Sequence, residues 1–229
     1  SYGQTQIDGR GTLSNNRTDV DSYQASLYAV LQGAPWYVQS QVGFAFQEFD
    51  SVRAVTVGAI SERPTADFGG SVFSAGFSGG YPIDLGDVTV TPSASLNYVY
   101  SEQAGYTETN APTTALAVNS NRDESLRSGL AASVSTSFAL DEGGKLIPEV
   151  HLGWFHEFQA TESNSVASFA FGSTPFVSRG AKPAKDAVNV GTSVEYASRE
   201  GLALSVQYDA EFKDRYLSNV LALRARWEF

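Results

Sequence analysis

The last eleven residues, NVLALRARWEF at positions 219–229, decide how the rest of the chain is read. Alternate positions sort into two kinds. Leu221, Leu223, Ala225, Trp227 and Phe229 form one set; Val220, Ala222, Arg224, Arg226 and Glu228 form the other and hold all the charge. A strand sends successive side chains to opposite faces, whereas a helix would set Arg224 beside Val220 and Leu221. The segment therefore reads as a strand with one apolar and one polar face.

The same alternation recurs upstream. In residues 202–212, Leu202, Leu204, Val206, Tyr208, Ala210 and Phe212 alternate with Ala203, Ser205, Gln207, Asp209 and Glu211. In 187–197, Val188, Val190, Val194 and Tyr196 oppose Asn189, Gly191, Ser193 and Glu195. In 147–158, Val150, Leu152, Trp154 and Phe158 oppose Glu149, His151, Gly153 and Glu157. Further toward the N-terminus the second face turns small and polar. Gly129, Ser133 and Ser135 alternate with Leu130 and Val134, Thr91, Ser93 and Asn97 with Val90, Leu96 and Tyr98, and Gln39, Gln41 and Gln47 with Val42, Phe44 and Phe46. The pattern predicts about nine strands of about ten residues, enough to cross a bilayer obliquely. Strands of a soluble sandwich are shorter, about 5–6 residues, and their polar face is richer in charge.

Loop spacing gives a second line of argument. Short connections at 32–35, 83–86, 141–144 and 198–201 alternate with long ones at 8–20, 50–67, 102–124 and 159–185; the short turn at 213–215 is the exception on the long side. A membrane barrel segregates loop length by rim because its two rims face different compartments. Composition agrees with a sheet: 12% of residues are aromatic, and Gly is plentiful. The formal charge of −10 argues against nucleic acid, which rewards dense Lys and Arg. No cysteine is present, so disulfides, thiolate metal sites and cysteine nucleophiles are excluded. No apolar run approaches the ~20 residues of a membrane helix. No signal peptide is visible at Ser1, so the sequence is expected to be a processed or excised piece.

Over residues 21–229 the order of landmarks resembles the autotransporter β-domain, the translocator barrel of type V secretion. The stretches are DSYQASLYA (21–29), WYVQSQVGFAFQEFD (36–50), the long run from Ser74 to Ala111 and SLRSGLAASVS (125–135). They continue with LIPEVHLGWFHEF (146–158), the most specific of them, then PFVSRGAKPAKDAVNVG (175–191), LALSVQYDAEF (202–212) and NVLALRARWEF (219–229). The resemblance implies an all-β, antiparallel, up-and-down transmembrane β-barrel. The family barrel has twelve strands and a helix in its lumen. About ten strands are represented here in one domain, 1–229, which is expected to lack the first strands and the luminal helix. By the same resemblance the barrel anchors in the outer membrane of a Gram-negative cell and exports an N-terminal passenger through its lumen to the cell surface. Its implied partners are outer-membrane lipid, its own passenger and the barrel-insertion machinery, with no cofactor and a monomeric state. Leu223, Trp227 and Phe229 resemble the C-terminal signal read by that machinery.

The side chains expected to line the lumen are Glu149, His151, Glu157, Glu195, Asp209, Glu211, Arg224, Arg226 and Glu228. They read either as a hydrophilic lining that orients the passing linker or as salt bridges that prop the wall. Trp154, Phe158, Tyr208 and Trp227 are expected to face lipid and its interfacial girdle, with His156 among them. Enzymatic chemistry has little to stand on. His151 and His156 are the only histidines, no catalytic set is assigned, and Glu149 with His151 lacks a third metal ligand. No phosphate-binding G-x-x-x-x-G-K-[ST] motif occurs. The alternatives are a small outer-membrane pore or adhesin barrel without a passenger, and a soluble β-sandwich or ligand-binding barrel.

Overall fold

The computed structural model describes residues 1–9, 15–140, 143–172, 174–180 and 182–227. Ten long strands follow one another as an antiparallel meander: β1 (Tyr2–Asp8), β2 (Arg17–Gln32), β3 (Tyr37–Val52), β4 (Thr65–Gly80), β5 (Val88–Gln103), β6 (Asn121–Thr136), β7 (Lys145–Glu157), β8 (Asp186–Ala197), β9 (Leu202–Lys213) and β10 (Tyr216–Trp227). Each pairs with its sequence neighbours, the up-and-down order expected of the alternating pattern. The two-residue strands Ile83–Asp84 and Phe138–Ala139 pair off this path at the short-turn rim. Connections there run over 33–36, 81–87 and 198–201, and Gly201 sits at φ +84° in the last, a conformation L side chains resist; in the expected short turn at 141–144, residues 141–142 lie outside the described residues. Longer connections lie at the opposite rim, except for residues 214–215 between β9 and β10.

Strand length departs from the sequence expectation. β2 to β6 are 16 residues each, whereas β7 has 13 and β8 to β10 have 12. The extra length lies at the long-loop rim, where pairing continues past the apolar stretch. On the outward parity the residues change there from aromatic to acidic: Tyr23 to Asp21 and Asp19, Phe46 to Glu48 and Asp50, Tyr100 to Glu102. The alternation that marks a strand continues while its hydrophobic content stops, so the sequence placed the ends too early. The barrel consequently has a tall side, β2 to β6, and a low side, β7 to β10.

Burial is inverted relative to a protein that packs its apolar side chains together. On one face Leu223 is 75% exposed, Val206 50% and Trp154 45%. On the other, the side chains of Asp209 and His151 are only 22% and 18% exposed. The buried apolar residues among those described are alanines apart from Val20, and the largest fully buried side chain is Pro64. A chain this size in water would bury Leu, Ile and Phe first. Here those residues form an outward belt suited to hydrocarbon, and the polar set is sheltered within. Among the described residues no helix is long and apolar enough to cross a membrane; strands do the crossing in a β-barrel.

One compact core sits at the long-loop rim, on the inner side of the tall wall. Phe49 stacks on Phe68 at a centroid distance of 4.9 Å, and Phe68 on Tyr106 at 4.1 Å. Val20, Ala66, Pro64, Ala111 and Ala115 are buried. The Arg53 guanidinium donates to both Glu108 carboxylate oxygens at 2.9 and 2.5 Å and to the Thr114 carbonyl at 2.9 Å. Glu62 ties loop 53–64 to loop 104–120 by accepting from the Thr114 hydroxyl (2.6 Å) and the Thr113 and Thr114 amides. Those donors, the Thr114 hydroxyl first, hold the Glu62 carboxyl below the usual carboxylate range. The carboxylate of Glu108 raises the Arg53 guanidinium, and burial raises the Tyr106 phenol. From this core a second small sheet continues, 176–179 beside 164–169 beside 116–118 beside 106–107, and joins loop 104–120 to loop 158–185.

Candidate functional site: the polar inner face

Register places the predicted polar residues on one face. Ser133, His151, Gly191, Asp209 and Val220 lie in one row across β6 to β10, and Ser135, Glu149, Ser193, Gln207 and Ala222 in the next. Glu195, Ser205 and Arg224 follow, and Ala203 and Arg226 beyond them. Glu211 pairs with Asn189. Glu228 and Phe229 lie outside the described residues.

This face is the concave one. Arg127 on β6 pairs with Glu211 on β9, with β7 and β8 between them. Three strand intervals span roughly 14 Å in a flat sheet, so the pair meets because the sheet curls toward that side. His151 and Asp209 skip one strand and bond at 2.7 Å from Nε2 to Oδ1. They meet directly over Gly191, where a Cβ would lie 2.3 Å from His151 Nε2 and 2.6 Å from Asp209 Oδ1. Glycine at this position is what lets the contact form. Gly129 is covered in the same way by the Phe155 ring and the Ser95 hydroxyl.

Most of the charged side chains hold one another. Asp209 also accepts from Gln207 Nε2 at 2.8 Å, and Glu149 Oε1 lies 3.8 Å from His151 Nδ1. Glu211 takes Lys213 Nζ at 2.7 Å besides Arg127. Glu157 accepts from the Ser125 hydroxyl (2.5 Å) and the amides of Leu126 and Gln159, so its carboxylate secures the strand ends at the rim. Arg224 and Arg226 lie on the exposed final strand. Sequence reading missed Arg127 and Phe155. The guanidinium of Arg127 sits 4.3 Å from the Phe155 ring centroid, a cation–π contact on the polar face. Parity was the available signal: both residues share it with Gly129 and Gly153.

The inner face is divided. The inward parity of β1 to β5 holds Gln, Ser, Thr, Gly, Asn and a few apolar residues, with no Asp, Glu, Lys or Arg; the inward charges of the wall strands lie on β6 to β10, and the Arg53–Glu108 pair belongs to the rim loops above the tall wall. Gln41 and Asn97 close over Gly76 on the uncharged side.

On the outward face Trp154, His156 and Phe158 cluster near the long-loop rim, with ring centroids 5.9 and 4.9 Å apart in sequence order. Asp186 accepts from Trp154 Nε1 at 3.2 Å and lies 2.9 Å from His156 Nδ1. Trp227 is 60% exposed at the opposite end of its strand. Tyr208 sits mid-strand rather than at a rim, and its hydroxyl donates to Asn219 Oδ1 of β10 at 2.7 Å. That bond meets the requirement of a polar group in an apolar belt.

Comparison with known proteins agrees with this architecture. The family model described as "Autotransporter beta-domain" matches residues 1–209. Outer membrane protein B of Rickettsia prowazekii is 24% identical over 233 residues, covering 99% of this chain, and that of Rickettsia conorii is 25% identical over 238. The chain spans 14% of the length of each. Among solved structures, the translocator domain of the autotransporter NalP from Neisseria meningitidis superposes with a TM-score of 0.66 at 14% identity, covering 93% of this chain and 68% of that one. The β-domain of the Bordetella autotransporter BrkA gives 0.52 at 17% identity, covering 100% and 96%. With an outward apolar belt, a sheltered polar face, an up-and-down strand order and a family match over most of its length, the chain belongs to the autotransporter β-domain family.

Proposed function

We propose that residues 1–229 work as one translocator unit, an outer-membrane barrel that anchors an N-terminal passenger and exports it to the cell surface through its lumen. The observation that carries this reading is the inverted burial: an apolar outer face on a curled sheet whose concave face is polar. Glu149, His151, Glu157, Glu195, Asp209, Glu211, Arg224 and Arg226 line that interior, with Glu228 assigned to it from the sequence alternation alone; the pairs made by His151, Asp209 and Glu211 prop the wall, and the set keeps the path hydrophilic. The barrel works as a conduit rather than a catalyst, as a monomer. Leu223, Trp227 and Phe229 present the C-terminal signal to the insertion machinery.

The test is surface proteolysis of intact Gram-negative cells expressing the protein with its native upstream segment. Export predicts an upstream segment digested from outside and a barrel band that resists digestion and shifts on heating. A heat-modifiable barrel whose upstream segment stays protected refutes export and leaves a pore or adhesin barrel. Solubility without detergent refutes the membrane assignment.

A further inference from the structure

The two sides of the long-loop rim are built differently. On the tall side, the mouth is filled by the packed core of Phe49, Phe68, Tyr106 and the Arg53–Glu108 pair, fixed through Glu62 to loop 104–120. On the low side lies a cavity of about 1250 Å³, bounded by the inward ends of β6 to β10 and by residues 182–186 and 213–216. It exceeds the roughly 300–1,000 Å³ of a small-molecule site, so it suits a polymer segment better than a metabolite. Arg127, Lys182, Lys185, Lys213 and Arg215 line it with Glu157, Asp186 and Asp214; Glu211 holds Arg127 and Lys213, and Asp214 lies 3.9 Å from Arg215, so the surplus positive charge sits on Lys182 and Lys185, in a chain whose net charge is −10.

We propose that the exported polypeptide leaves the lumen over this low side, through the basic notch, as an extended segment carrying carboxylates; this rests on the export reading above. Three features converge on it. The tall side offers no room at the mouth without dismantling a buried ion pair. The low wall is shorter by three or four residues per strand. The connection between β9 and β10, only residues 214–215, is too short to reach across the mouth.

The experiment uses the protein with its upstream segment, arrested during export by a folded block placed in the passenger. A photoreactive residue replaces Lys182 or Arg215 in the notch, and Ser61 or Thr113 in the cap; all four are exposed, so the fold tolerates the change. Irradiation should give barrel–passenger adducts from the two notch positions and none from the cap. The Lys182→Glu/Lys185→Glu variant should release passenger several-fold more slowly while its heat-modifiable barrel band stays unchanged. Adducts from the cap alone, equal adducts from both, or notch adducts to outer-leaflet lipid in place of polypeptide overturn the proposal while passenger still reaches the surface. If no passenger reaches the surface in the unarrested protein, the export reading itself fails, and protease access reports that separately.

Discussion

Replacing Gly191 with alanine tests the inner face where it is most closely fitted. The new methyl would lie 2.3 Å from His151 Nε2, 2.4 Å from Cε1 and 2.6 Å from Asp209 Oδ1. It occupies the space through which those two side chains bond at 2.7 Å. If the ring swings away, the loss is a hydrogen bond to a carboxylate, about 1.5–3 kcal/mol. If it stays, the crowding costs about 1–3 kcal/mol. Relaxation takes the cheaper mixture of the two, so Gly191→Ala should destabilise the barrel by about 1–3 kcal/mol. His151→Ala loses the bond alone. In the double variant no ring remains to collide and the Asp209 carboxylate, released from His151, can turn aside, so the second substitution should cost little, and the cycle should show a coupling of about 1–3 kcal/mol. The assay is urea unfolding of the barrel folded into lipid vesicles, followed by heat-dependent gel mobility and tryptophan fluorescence. A Gly191→Ala variant as stable as the parent, or effects that simply add, would refute the claim that this glycine exists to let His151 meet Asp209.

Other substitutions probe sidedness and the rim. Leu221→Arg, on the outward face near mid-strand, should cost about 2–4 kcal/mol in vesicle refolding, whereas Ala222→Arg, one residue on and inward, should cost far less; equal costs would contradict the assignment of faces. Tyr208→Phe strands Asn219 in the apolar belt and should destabilise by about 1 kcal/mol, a loss that Asn219→Leu in the same background should largely restore in the urea midpoint. Arg53→Ala leaves the buried Glu108 carboxylate unpaired and should loosen the rim core by about 3 kcal/mol, read as faster hydrogen exchange in loops 53–64 and 104–120 with the wall unaffected. Because Glu62 has a depressed pKa in the folded state, its contribution is present above the unfolded carboxyl value of about 4.3 and is lost as pH falls through the lower folded value. Proteolysis between loops 53–64 and 104–120 should therefore rise below about pH 4, and Glu62→Gln should abolish that dependence.

Much of the wall was legible before any coordinates. Alternation in residues 202–212 and 219–229 depends only on the two-residue repeat of a strand, so parity assigned Asp209, Glu211, Arg224 and Arg226 to one face without knowledge of their neighbours. Strand ends were less legible. The sequence reading stopped at the last apolar residue, but Asp19, Asp50 and Glu102 continue the pairing above the belt because backbone hydrogen bonds do not require greasy side chains. The rim core was not legible at all. It joins Arg53 to Glu108 and Glu62 to Thr114, residues 55 and 52 apart, and no local period announces such a contact.

The sequence by itself determined that this chain alternates, that its two faces differ, and that one of them is greasy enough for lipid. These follow from covalent geometry, since neighbouring side chains on a strand must point apart whatever surrounds them. Only the tertiary structure decided that the polar face is the concave one, that Gly191 is an opening for a contact between strands on either side of it, and that the inward charges of the wall strands meet across β6 to β10. Those properties depend on curvature and register, which bring together residues such as Arg127 and Glu211, 84 positions apart in the chain.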